Sequence, residues 1–139
     1  MQFVDTNVLV YAVSTAPEDE TKARRALSLL DEFDIALSVQ VLQEFYVQAT
    51  RASRPAALTH HEAVLFLTSL TRFHVEAITV DVMFSAFELR ERFDLSYWDA
   101  AILAAARNAG CQTPQVPSSV SSSSSRLIGS LLKRELMYA

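Results

Sequence analysis

The sequence predicts an α/β fold in which a short parallel sheet is covered by helices on both faces. Two observations carry the prediction. Short apolar runs of strand length alternate with longer runs at helical spacing as far as residue 113. Cap and turn residues fall between those runs rather than inside them. Strands alternating with helices in this way imply right-handed crossovers and a parallel sheet covered on both faces.

Residues 2–4 read as a first strand, and residues 7–13 as a short helix. Pro17, Glu18, Asp19 and Glu20 mark a helix start, because proline and acids suit a first turn whose N–H groups point outward. Ala23, Ala26, Leu27, Leu30 and Phe33 then recur at helical spacing, placing a helix over about 20–33. Residues 35–38 form a second strand. The next helix carries Val41, Leu42, Phe45, Tyr46 and Ala49 on one face.

Residues 51–58, with Pro55, read as a loop. Thr59 and Glu62 fit a capping box opening a helix to about residue 73. A third strand covers 75–78, and helices cover 80–93 and 97–109. Gly110 is a C-terminal stop, and residues 111–113 would begin a fourth strand. Composition then changes abruptly: residues 114–125 hold seven serines in twelve positions, which reads as a flexible linker. Residues 126–139 are helical by pattern, with Leu127, Ile128, Leu131, Leu132 and Leu136, and carry no strand signal.

Composition narrows the function classes. A chain of 139 residues, half of them hydrophobic and a fifth charged, can build one real core. With Gly110 and Gly129 as its only glycines, it can write neither a GxGxxG turn nor a P-loop. The net charge of −4 is unlike that of a general nucleic-acid coat protein. Any RNA or DNA chemistry here needs a metal ion to offset acids, with basic groups such as Lys22, Arg24 and Arg25, or Arg51 and Arg54, either holding phosphates or lying as solvated helix surface. The single cysteine, Cys111, reads as an inert buried thiol in a reducing, cytoplasmic setting. No signal peptide or membrane-spanning run is expected.

Three acids stand in strong contexts. Asp5 follows the first strand, at the carboxyl end where open α/β sheets place their ligands. Glu44 lies in Ser38-Val-Gln-Val-Leu-Gln-Glu-Phe-Tyr46, and Asp99 in Ser96-Tyr-Trp-Asp-Ala-Ala-Ile102. Brought together, three carboxylates would bind a hard divalent cation. Each also has a plainer use: Asp5 as a helix cap, Asp99 as the fourth residue of a capping box begun by Ser96, and Glu44 as an exposed helix acid. His60, His61 and His74 lack metal-ligand spacing and read as surface or helix-end residues. Asp34, Asp81 and Asp94 suit caps and loops. Tyr97 and Trp98 read as hydrophobic anchors of the last helix, with base stacking as the alternative.

Val4-Asp-Thr-Asn-Val-Leu-Val-Tyr-Ala12, Leu37-Ser-Val-Gln-Val-Leu-Gln-Glu-Phe-Tyr46 and Leu95-Ser-Tyr-Trp-Asp-Ala-Ala-Ile-Leu103 resemble, in order and spacing, the three leading motifs of PIN-domain nucleases, particularly VapC-like toxins of toxin–antitoxin pairs. The resemblance spans residues 1–113. It implies a three-layer α/β/α sandwich, Mg²⁺- or Mn²⁺-dependent cleavage of RNA, a VapB-like protein antitoxin and a homodimer. It carries Asp5, Glu44 and Asp99 over as catalytic and metal-binding acids, with Thr6, Asn7 and Ser38 in support.

The chain departs from the family after Cys111. A Ser-Glu-Asp-like segment, a final helix and a last strand usually follow, yet no acid occurs here between Asp99 and Glu135. The expected organisation is therefore a PIN-like domain over 1–113, a linker over 114–125 and a tail over 126–139, with the last strand and the fourth carboxylate missing. An altered reading frame in the coding DNA would produce such a switch. The rival expectation is a PIN-like domain that binds antitoxin or RNA without cleaving. An aspartyl-nucleophile phosphatase is a more distant rival, because Asn7 stands where such enzymes carry a second aspartate.

Overall fold

The computed structural model of the chain describes residues 1–32 and 34–111. Phe33, the fourth strand expected from residue 111 onward, the serine-rich segment and the C-terminal helical pattern lie outside the described residues, wholly or in all but Cys111. Three parallel strands, β1 (Gln2–Phe3), β2 (Ile35–Ser38) and β3 (His74–Glu76), lie in the order β1-β2-β3. Phe3 pairs with Ala36, and Ala36 with His74.

Helices α1 (Thr6–Ala12), α2 (Glu20–Leu30), α3 (Val39–Ala49), α4 (His60–Leu70), α5 (Val80–Phe93) and α6 (Tyr97–Asn108) flank the sheet, in the α/β/α arrangement expected from the sequence. Every residue of β2 is buried, as a central parallel strand covered on both faces must be. Phe3, Val4, Ile35, Leu37, Val41 and Phe45 form the heart of the core. All residues from Ala100 to Ala106 are buried, five alanines with Ile102 and Leu103, where α6 packs on α5, β2 and β3. On the other side, α1 packs on α2 and α3, and α3 on α4.

Several local expectations are met. A 3₁₀ turn at Pro17–Asp19 opens into α2. Thr59 and Glu62 exchange both bonds of the capping box. Gly110, at φ +77°, follows α6; its N–H bonds the Arg107 carbonyl, and the Cys111 N–H bonds the Ala106 carbonyl. That pair of bonds is the Schellman arrangement, which a left-handed glycine makes without strain.

Other boundaries differ. α4 stops at Leu70 rather than near residue 73, because the Thr71 and Phe73 N–H groups turn to the Thr68 and Leu70 carbonyls. α2 stops at Leu30, where the Asp31 N–H is shared among the last carbonyls. β3 begins one residue early, at His74. Trp98 is 64 % exposed, its ring set edge-on against Tyr97, and so does not anchor α6 in the core as expected. Tyr97, its neighbour on α6, packs partly against the core, as expected of an anchor. Among the described residues no helix is long and apolar enough to cross a membrane.

Candidate active site

The site is built where two strands turn directly into helices. Asp5 is the N-cap of α1, and Ser38 is both the last residue of β2 and the N-cap of α3. The ladder continues past β1 through the Val4 N–H to the Ala36 carbonyl, so Asp5 and Ser38 stand level on the carboxyl edge. Asp5 is 5 % exposed, and its Oδ1 accepts from the Thr6 N–H at 2.6 Å. Ser38, fully buried, accepts at Oγ from the Val41 N–H. The capping use foreseen for Asp5 is therefore real, Ser38 caps α3 in the same way, and the caps fix both residues at the edge of the sheet.

Thr6 connects this edge to α3. Its hydroxyl donates to Glu44 Oε2 at 2.8 Å across 38 residues of sequence. Gln40 Nε2 donates to the other oxygen, Oε1, at 2.9 Å. Glu44 is half-buried rather than a plain exposed helix acid. Asn7 is half-buried in the first turn of α1.

Asp99 occupies the first turn of α6. Ser96 Oγ donates to Asp99 Oδ2 at 2.8 Å and accepts from the Asp99 N–H at 3.2 Å, so the foreseen capping partnership is also present. The far end of α6 carries Asn108, which bonds Glu76 at the end of β3, and is followed by Cys111, which feels the charges of the Met1 ammonium, Asp34 and Glu76. The first turn, with Asp99, lies about 18 Å from that end by helix rise. Burial pushes the Cys111 thiol up, consistent with an inert side chain.

The three acids do not form a ready-made cage. Among the described residues no group of three or more His, Cys, Asp or Glu side chains is placed to hold a metal ion. Asp5 and Glu44 are joined through Thr6, whereas Asp99 approaches from another element. Hard oxygen donors on one or two carboxylates, completed by water, nonetheless suit Mg²⁺ or Mn²⁺, which rarely take an all-protein cage. The donor set thus fits a hydrated divalent ion.

The histidines bear out the surface reading: His60 bonds the Tyr46 hydroxyl, and His74 bonds Glu76. Of the basic groups, Lys22 lies over the Tyr11 ring, Arg24 pairs with Glu20 and Arg54 donates to the Val10 carbonyl. Gln40 was not singled out by sequence reasoning. Its spacing of four residues from Glu44 on one helix was the available signal.

Residues 3–113 match the PIN domain family. The chain belongs to the PIN domain family. No curated protein matches it in sequence. Among solved structures, this PIN domain chain is similar to a toxin–antitoxin complex from Klebsiella pneumoniae, at 23% identity and TM-score 0.61, covering 87% of this chain and 97% of that one. It is also similar to VapC20 of Mycobacterium tuberculosis, described as a sarcin-ricin loop cleaving toxin, at 24% identity and TM-score 0.62, covering 81% and 85%. At these identities the likeness is one of fold.

Proposed function

We propose that this PIN domain protein is a metal-dependent endoribonuclease and the toxin of a toxin–antitoxin pair. The observation that carries the reading is the Asp5–Thr6–Glu44 linkage at the carboxyl edge of the sheet. Asp5, Glu44 and Asp99 are the residues that would hold Mg²⁺ or Mn²⁺. When bound, such an ion lowers the pKa of water, orients a phosphate and neutralises developing charge. The chain's own residues fix the geometry: the α1 cap holds Asp5, Thr6 holds Glu44 and Ser96 holds Asp99. Ser38 braces α3, and Asn7 lies close by on α1.

RNA is the substrate under this reading, a VapB-like antitoxin the inhibitor and a homodimer the working form, in the cytoplasm. The nuclease unit is residues 1–113, with 114–125 a linker and 126–139 a tail. A second reading, a PIN domain that binds antitoxin or RNA without cutting, is favoured by the lack of a three-acid group among the described residues.

Single-stranded RNA incubated with Mn²⁺, against an EDTA control, separates the two. Cleavage with Mn²⁺ and none with EDTA is expected. Asp5→Asn abolishes it while leaving the fold intact, because asparagine caps a helix as well as aspartate does. Full activity of purified Asp5→Asn would refute the assignment. Mn²⁺ calorimetry on wild type and Asp99→Asn shows in the same protein whether Asp99 belongs to the ligand set.

A further inference from the structure

Gln40 is only 9% exposed in the first turn of α3, a position where an apolar side chain would pack without any polar group to satisfy. It is not needed as a cap, since Ser38 already serves the Val41 N–H. Its amide instead reaches one turn forward to Glu44 Oε1. A carboxylate accepts and cannot donate, so the NH₂ end must face it. The Thr6 hydroxyl holds Oε2 from a different helix. Both oxygens of one acid are therefore gripped from two sides.

We propose that Gln40 is a positioning residue that, with Thr6, fixes the plane of the Glu44 carboxylate for a divalent cation; this rests on the nuclease reading. The chemistry of the two donors is what matters. An ionised carboxylate offers about four lone-pair sites, and two neutral donors use about half of them. An arginine or lysine in the same place would orient the acid equally well but cancel its charge and compete with the cation. Neutral donors orient Glu44 and leave its charge available. Outer donors of this kind tune metal affinity by about tenfold to a hundredfold when removed.

The test is Mn²⁺ calorimetry on the full chain carrying Gln40→Leu, with Gln40→Met as the second variant should leucine unfold the protein. Mn²⁺ affinity should fall about tenfold to a hundredfold while circular dichroism stays native. In a Thr6→Val background the two losses should be non-additive, because both act through the same carboxylate. A purely structural glutamine lowers the melting temperature and leaves Mn²⁺ affinity unmoved. Unchanged affinity in folded Gln40→Leu, or simple additivity with Thr6→Val, overturns the positioning role alone. Wild-type protein that binds no Mn²⁺ overturns both this role and the nuclease reading.

Discussion

Glu44 and Asp99 are both helix acids set in apolar stretches, yet their surroundings differ in kind. Around Glu44, bonds run from α1 to α3 across 38 residues, and Thr6 and Gln40 are both nearly buried. Around Asp99, the bonds with Ser96 stay within one turn and lie in solvent-exposed surroundings. The first arrangement exists only when the fold is complete. The second belongs to any helix that begins Ser-x-x-Asp. The Thr6 bond at Glu44 is thus tertiary and the Ser96 bonds at Asp99 are local, and substitutions of the two donors should tell the two kinds of bond apart.

Thr6→Val is expected to have the largest effect on stability. It keeps the shape of the side chain but strips Glu44 Oε2 of its partner in a half-buried place, costing about 1–3 kcal/mol. Denaturant unfolding of the variant measures this, and a loss below that of Ser96→Ala would undo the distinction between the two regions. Ser96→Ala removes a helix cap and should cost about 1 kcal/mol, read in the same unfolding experiment.

The smallest effect lies away from both acids and appears only in acid. Hydrogen bonding from His74 holds the Glu76 carboxyl below its ordinary value; burial opposes this, and a bond from Asn108 adds to it. Because the folded value is the lower one, the stabilisation is fully present above the ordinary carboxylate range and fades as pH drops through the depressed value. Glu76→Gln should therefore flatten that part of the stability–pH curve. An unchanged acid limb in thermal melts would remove Glu76 from the account.

Much of this architecture was legible in the sequence because its signals are local. Pro17, the Thr59–Glu62 box and Gly110 act within one turn, and each sits where its chemistry requires. The ends of α2 and α4 were harder, since apolar spacing runs on past the last helical bond: Phe73 is buried without being helical. For the site, Asp5 at a strand end could be read from order alone. Gln40 offered only its spacing of four residues from Glu44; its burial, and the second grip on the carboxylate from Thr6, exist only once α1 packs on α3. Trp98 misled for the opposite reason: its size suggests burial, but the buried positions of α6 are taken by Ile102, Leu103 and alanines.

The joint at Ser38 has no slack. Strand and helix share that residue, so one extra residue there would rotate the rest of α3 by about 100°, given 3.6 residues per turn. Glu44 would swing away from the Thr6 hydroxyl while the sheet stayed whole. The connection between α3 and α4, by contrast, could absorb the same insertion. Length variation at the first place would silence the acid pair, and at the second would pass unnoticed.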